Sequence, residues 1–264
     1  MFEGDSEKIF EYLRKNTSKE TDKVSFKSAL VDPRYRRGTL VAMTCALVLF
    51  FNGIYPITTY GGRLFEKMYK GDPDYTAKLT LNVIAIADPV SQLVAVFIVP
   101  LFPRKLLLVL GSLLICGLNA SIASLDLADN NAGVFFVVIS LVVLTSVAQE
   151  PVSQLYMTEV SNNASLGLAH FSYFGMNIAL SFVLPVLVNK VGPPILYYIF
   201  AGAQLVIAVI MLVFLRETAK LSDKDKKLLY VPAEFREEIS VSLSYIDKDH
   251  NHTLEKSVSF HHFA

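Results

Sequence analysis

Two carboxylates interrupt otherwise apolar stretches of this sequence. Asp88 directly precedes Pro89, and Glu150 directly precedes Pro151. A carboxylate in an apolar helix is costly to bury, and membrane proteins keep such acids as proton carriers, ion ligands or partners of cations. The structural alternatives are that each acid is protonated, caps a broken helix or meets a basic group on a partner chain. Asp88 and Glu150 are therefore the first candidates for coupling residues.

Further polar side chains are spread over the same apolar stretches. His170 could titrate near neutral pH, although an interhelical hydrogen bond is the more ordinary role of a histidine in such a place. Amide and phenol groups can line a substrate cavity, or they can hold helices together by hydrogen bonds. The candidate cavity residues are Asn52, Tyr55, Tyr60, Gln92, Gln154 and Asn177.

The composition that surrounds these residues indicates a membrane protein. Of 264 residues, 53% are hydrophobic and only 18% are charged, whereas a soluble domain carries roughly 25% charged residues. The charges concentrate at the two ends, which predicts a polar N-terminal segment (1–38), a transmembrane domain (39–215) and a polar tail (216–264). The formal net charge is zero, so nothing indicates a nucleic-acid partner. Lipids are expected partners.

The middle of the chain divides into six apolar stretches. Each is close to the length of about 20 residues that a helix needs to cross a bilayer. Prolines 56, 89, 151 and 185 are predicted to interrupt four of them near mid-depth. The sequence thus predicts an all-α membrane protein, a bundle of six transmembrane helices. The predicted spans are residues 39–60, 79–101, 106–125, 132–157, 166–188 and 193–215.

The basic residues near the span ends predict the orientation. Lysine and arginine cluster on the cytoplasmic side of membrane proteins. Here they cluster before the first span, after the second and after the sixth, which an even number of spans places on one side. Both termini are therefore expected in the cytosol, or in the matrix of a mitochondrion. The residues are Arg34, Arg36, Arg37, Arg104, Lys105, Arg216, Lys220, Lys224, Lys226 and Lys227.

Other kinds of site are not predicted. The sequence lacks a nucleophile elbow, a P-loop, a Rossmann glycine run and an H-E-x-x-H motif, so neither an enzyme nor a cofactor is expected. Cys45 and Cys116 lie in apolar spans and are expected to pack as small hydrophobic groups. Residues 247–258 resemble an EF-hand loop, but His252 and Val258 replace its glycine and its bidentate glutamate. No metal site is predicted.

A series of short motifs resembles the C-terminal half of a sugar porter of the major facilitator superfamily. Residues 25–37 (SFKSALVDPRYRR) are similar to the segment before the seventh helix of that family. The resemblance continues to about residue 222 and implies six helices of a twelve-helix fold, with substrate bound between two halves. The other matching residues are Asn52, Gly53, Ile54, Tyr60, Leu64, Phe65, Glu66, Lys67, Pro151, Leu155, Tyr156, Glu159, Gly167, Glu217 and Thr218.

The chain departs from the family where the family binds sugar. Leu49 and Phe50 replace a glutamine pair, Tyr55 replaces an asparagine, and Gln154 replaces a tryptophan. In the family those amides hydrogen-bond sugar hydroxyls, which Leu and Phe cannot do. The acid and the first arginine of the gate motif are replaced as well, and Leu166 replaces a further arginine. Sugar binding is therefore not expected. The gate positions read Pro100 and Leu101.

Two functions remain open at this point. The first is a structural, supernumerary subunit of a larger membrane complex, without transport activity, in which other integral membrane subunits cover the exposed face of the half-porter. The second is a half-transporter that moves a sugar or another small solute after homo- or hetero-dimerisation. Large assemblies with accessory helices are common in energy-converting membranes, which favours the mitochondrial inner membrane as the location.

Overall fold

The computed structural model describes residues 24–68 and 73–237, and it contains helices but no strand within them. A short 3₁₀ turn (Val99–Leu101) and a π-helical turn (Thr145–Gln149) also occur. The helices are α1 (Phe26–Val31), α2 (Pro33–Phe50), α3 (Ile54–Met68), α4 (Pro73–Ile98), α5 (Arg104–Leu127), α6 (Asn131–Leu144), α7 (Glu150–Val160), α8 (Asn163–Lys190), α9 (Pro193–Phe214) and α10 (Asp223–Leu228).

In the described part of the chain, six segments are long and apolar enough to cross a membrane, which confirms the predicted fold class. They run over Pro33–Met68, Tyr75–Leu101, Arg104–Leu127, Asn131–Val160, Asn163–Lys190 and Pro193–Phe214. Most extend beyond the predicted apolar stretches, because a helix continues into the polar interface until a cap ends it. Asp32, for example, accepts a hydrogen bond from the Arg34 N–H at the start of α2.

The first span is a broken helix. The helical pattern stops at Phe51 and resumes at Ile54, with Gly53 between them at a φ of +88°. The Asn52 side chain accepts a hydrogen bond of 2.9 Å from the Ile54 N–H. The Asn52 carbonyl in turn accepts one of 3.2 Å from the Asn119 side chain of α5. The backbone groups released by the break thus find partners inside the protein, as the hydrocarbon of a membrane requires.

The fourth span is interrupted at the π-helical turn between α6 and α7. Gln149 ends this turn, and its side chain donates hydrogen bonds to Ser112 at 3.0 Å and to Gln204 at 3.4 Å. Gln204 donates to the Val48 carbonyl at 2.9 Å. Buried side chains of α5 and α9 therefore connect this turn to α2, and they supply hydrogen bonds in a region without water.

The structure corrects the expectation that four prolines interrupt their spans. Pro56 and Pro151 lie directly after the two breaks, in the first turns of α3 and α7. Proline is well tolerated there because the first N–H groups of a helix have no intrahelical partner. Pro89 and Pro185 lie inside the continuous helices α4 and α8, so for these two residues the prediction is wrong.

The buried apolar side chains form two clusters, stacked along the bundle. One includes Phe65, Ile115 and Tyr197, and the other includes Leu108 and Tyr156. Phe51, at the break of the first span, packs against both clusters. The helices differ in how far they enter this core. In the apolar windows of the spans that contain α4 and α8 only 17% of the residues are buried, against 56% for the first span.

Substitution of Gly53 by alanine is expected to destabilise the bundle. The positive φ costs an L-residue about 1–2 kcal/mol, and the added Cβ would overlap the Asn119 side chain. Thermal unfolding in detergent, followed by circular dichroism, should show a lower midpoint for Gly53→Ala. Gly62→Ala is the matched control, because Gly62 lies in α3 with nothing within 4 Å of an added Cβ. An unchanged midpoint for Gly53→Ala would contradict this account of the break.

Candidate functional site

The structure brings the two predicted carboxylates together. Asp88 of α4 accepts hydrogen bonds on Oδ1 from Ser146 at 2.5 Å and from Gln92 at 3.3 Å. Ser146 lies in the π-helical turn, and Glu150 follows it by one helical turn at the start of α7. The carboxylates of Glu150 and Asp88 are close enough to interact electrostatically. Two acids from different spans therefore share one site.

Side chains of α3 and α8 extend this site. The Tyr55 hydroxyl and the Ser181 hydroxyl form a hydrogen bond of 2.5 Å. Tyr173 of α8 interacts with Tyr55, Glu150 and Asn177. We use the name polar face for the group that these contacts connect. It consists of Tyr55, Asp88, Ser146, Glu150, Tyr173 and Asn177.

The polar face is formed by the outer helices of the bundle. Asp88 lies on α4 and Tyr173 on α8, in the two spans with the smallest buried share. Glu150 is exposed on the surface of this chain. A bilayer offers such groups neither water nor hydrogen bonds.

The remaining predicted residues lie at different distances from this group. Gln92 joins it through its hydrogen bond to Asp88. Gln154 is half-buried one turn after Glu150 on α7. His170 is half-buried on α8, and its ring centroid lies 6.4 Å from that of Phe174.

Asn52 and Tyr60 lie apart from the polar face. Asn52 is buried, 6% exposed, and its side chain caps the start of α3. Tyr60 is half-buried further along α3, where the Arg63 guanidinium lies 5.9 Å from the centre of its ring. Neither residue contacts the polar face in the way that Gln92 does through Asp88.

Sequence reasoning missed three residues of this region, Ser146, Tyr173 and Ser181. Each follows or precedes a predicted residue by four positions, the spacing that places side chains on one side of a helix. Ser146 precedes Glu150, while Tyr173 and Ser181 flank Asn177. The four-residue spacing could therefore have predicted these three residues from the sequence.

Leu49 and Phe50, which stand where the resemblance implies a glutamine pair, are part of the interior here. Leu49 and Phe50 are 3% and 9% exposed. Leu49 packs in the second apolar cluster, and the Phe50 ring contacts that of Phe51 with centroids 4.7 Å apart. These two side chains contribute to packing and offer no hydrogen bond to a ligand.

A second set of charged residues lies at the end of the bundle that carries residues 215–237. Glu159 of α7 forms ion pairs of 3.0 Å with Arg104 and with Lys226. Glu217 accepts hydrogen bonds of 3.0 Å from the N–H groups of Arg104 and Lys105, at the start of α5. A carboxylate in this position also balances the positive end of the helix dipole. The charged contacts at this end persist although Pro100 and Leu101 replace two charged residues of the family.

Two lysines after the last span connect this end to α7. The hydrogen bond to Glu159 raises the pKa of Lys226. Lys227 donates to the carbonyls of Thr158 and Ser161 at 2.6 Å each, and burial lowers its pKa. The carbonyl groups at the C-terminal end of a helix favour cations. Residues 215–230 are thus fastened to the bundle by charge.

Metal ligands are not grouped anywhere in residues 24–68 and 73–237. No cluster of three or more His, Cys, Asp or Glu side chains occurs there, and Cys45 and Cys116 are free thiols. The segment that resembles an EF-hand loop, residues 247–258, lies outside the described residues.

Replacing Glu159 by glutamine is expected to lower stability by about 2 kcal/mol, because two cations lose their counter-charge in a largely buried place. The Glu159 side chain is only 9% exposed. Since the pKa of Lys226 is raised, the pair contributes fully below the ordinary lysine value of 10.5 and is lost as the pH rises through the raised pKa. Thermal unfolding of Glu159→Gln across that pH range measures the loss.

Asp223→Asn is the matched control for this experiment. Asp223 also pairs with Lys226 at 3.0 Å, but its side chain is 97% exposed. A change within about 0.5 kcal/mol is expected for such a surface substitution. Equal destabilisation by both variants would show that burial of Glu159 is not what matters.

Comparisons with known proteins place this geometry in a family. The family model for sugar (and other) transporters matches residues 3–225. An arabinose-proton symporter of Bacillus subtilis (strain 168) is 21% identical over 210 residues, which are 77% of this chain and 45% of the symporter.

The crystal structure of a double-tryptophan mutant of XylE has a similar fold. Its TM-score is 0.67 at 19% identity, with 83% of this chain and 50% of that chain covered. The chain thus spans about half the length of these relatives. Because the family model matches most of its residues, this integral membrane protein belongs to the sugar (and other) transporter family.

Proposed function

We propose that this bundle forms one half of a solute pathway. Its polar face packs towards a second six-helix bundle, in the same polypeptide or in another, and a small solute crosses the membrane between the two. The observation that carries the proposal is the meeting of Asp88, Ser146 and Glu150 on one face. A function in transport also agrees with the absence of enzyme motifs from the sequence.

The energetics favour a covered, hydrated polar face. A charged side chain at the centre of a bilayer costs about 2.5–3.5 kcal/mol even on insertion scales. Two neighbouring acids would add repulsion to that cost. A second bundle would convert the face into a cavity, in which water or a solute hydrates the carboxylates. Transporters of this kind bind their solutes near mid-depth between two repeats.

The breaks in the first and fourth spans support the same function. Tyr55 lies in the first turn of α3 and Glu150 begins α7. Tyr55 therefore belongs to a helix that starts at a break in its span, whereas Glu150 follows a π-helical turn inside a continuous span. Discontinuous helices are the usual source of solute and ion ligands in transporters. Asp88 and Glu150 are the proposed coupling residues.

A second candidate function is a structural subunit without transport activity. The packing of Leu49 and Phe50 in the interior favours it, because the groups that bind sugar in the family are absent. Other integral membrane subunits would then cover the polar face. For either function we propose that both termini face the cytosol or the matrix, and the mitochondrial inner membrane is the preferred location.

Cysteine labelling separates the two candidates. With Cys45 and Cys116 replaced by alanine, Gln92→Cys is expected to react with a membrane-impermeant maleimide in native vesicles, because a solute pathway contains water. Phe97→Cys is the matched control on α4. Phe97 is 75% exposed and lies on the opposite side of the helix from Asp88, so it should face lipid and stay unlabelled. An unreactive Gln92→Cys would favour a dry packing interface and a structural subunit.

Uptake measures the proposed activity itself. The protein, purified with whatever chains accompany it, is reconstituted into liposomes and tested with a panel of labelled sugars, polyols and amines. We expect uptake above that of empty vesicles, and at least about a tenfold loss in Asp88→Asn, equivalent to about 1.4 kcal/mol. Glu66→Gln, at an exposed acid of α3, should keep full uptake. Absence of uptake for every solute would refute the transport proposal.

A further inference from the structure

We infer that the pathway takes a small organic ammonium ion and that the polar face is its binding site. The inference rests on the proposed function and names the substrate class of the same site. Charge, hydrogen-bonding groups and aromatic rings on the polar face each support it.

The charged side chains in the membrane-embedded part of the chain are all acidic. In the six apolar stretches, 39–60, 79–101, 106–125, 132–157, 166–188 and 193–215, Asp88 and Glu150 are the only charged side chains, and lysine and arginine do not occur. No lysine or arginine among the described residues forms an ion pair with either acid. A carboxylate that faces the membrane interior requires a counter-charge or a proton, and a cationic solute supplies the counter-charge.

The site contains oxygen acceptors that have no donor among the described residues. Asp88 receives bonds on Oδ1 from Ser146 and Gln92, and Glu150 receives none from the described residues. The Asn177 side chain is 95% buried, since only 5% of the residue is exposed. Its Oδ1 atom has no hydrogen-bond partner in the described part of the chain. Oxygen atoms that lack a donor fit a ligand that brings N–H groups.

Aromatic rings stand beside these acceptors. Tyr173 interacts with Glu150 and Asn177, and its ring centroid lies 5.2 Å from that of Phe174. Phe174 is 59% exposed, and the centroid of the His170 ring lies 6.4 Å from that of Phe174. The faces of aromatic rings attract ammonium groups at distances up to about 6 Å. A carboxylate pair beside aromatic rings suits an organic cation better than a hydrated metal ion, which takes oxygen ligands alone.

A binding experiment tests the inference without requiring transport. The full chain in detergent is titrated with 1,4-diaminobutane, whose amines are protonated at neutral pH, and with the uncharged analogue 1,4-butanediol. Unfolding is followed with a thiol-reactive dye, because the buried Cys45 thiol becomes accessible on unfolding. We expect a saturable rise in the unfolding temperature with the diamine and none with the diol.

Variants assign the binding to the polar face. Asp88→Asn and Glu150→Gln should each weaken diamine binding at least about tenfold, whereas Glu66→Gln should not. Tyr173→Phe should retain binding, and Tyr173→Leu should weaken it, because only the first keeps an aromatic ring. Circular dichroism identifies any variant that fails to fold. If one of the two acid variants does not fold, the test rests on the other. Diamine binding that survives both acid substitutions would overturn the assignment.

The outcomes also distinguish this inference from the transport proposal. Labelling of Gln92→Cys and uptake of a neutral solute, without diamine binding, would overturn the inference and keep the pathway. In that case a proton neutralises the carboxylates. Diamine binding without labelling of Gln92→Cys would keep the site and refute the pathway. Absence of binding to the wild-type chain refutes the inference, since all the groups invoked belong to this chain.

Discussion

Every backbone group that a broken transmembrane helix releases must find a hydrogen-bond partner inside the protein. This constraint explains the positions of the buried polar residues. Asn52 and Asn119 serve the break in the first span, and Gln149 and Gln204 connect the interruption of the fourth span to α2. The NH2 groups of Asn119, Gln149 and Gln204 donate inside the bundle. The polar face lies elsewhere, on α4 and α8, in the π-helical turn and at the starts of α3 and α7.

The same constraint positions the polar face. In a π-helical turn the backbone follows i→i+5 hydrogen bonds, so the turn holds one residue more than an α-helical turn. This turn carries Ser146, which reaches Asp88, and it ends directly before Glu150. Pro151, which has no N–H to donate, follows directly after this turn. The π-helical turn therefore sets where Glu150 lies relative to Asp88.

The sequence predicted the spans well, because hydropathy reports the thickness of the bilayer directly. It could not predict that Asp88 meets Ser146 and Glu150, because that meeting depends on which helices are neighbours. Helical spacing would have found Tyr173 and Ser181 from Asn177. The roles of the prolines could not be read from hydropathy either. Pro56 and Pro89 both lie inside apolar runs, yet only Pro56 of these two follows a break, because Gly53 can adopt a positive φ just before it.

The acids of this chain fall into two energetic classes. Glu159 and Glu217, at the end of the bundle, are held by cations and by backbone N–H groups. Among the described residues, Asp88 accepts hydrogen bonds only from the neutral side chains of Ser146 and Gln92, and Glu150 accepts none. A structural role would be served by pairing all four, since an unpaired buried charge destabilises a fold. Asp88 and Glu150 lie within the apolar spans, away from the charged end of the bundle. A cationic ligand would supply the counter-charge that they lack, and this asymmetry argues for binding rather than packing as the reason that Asp88 and Glu150 lie there.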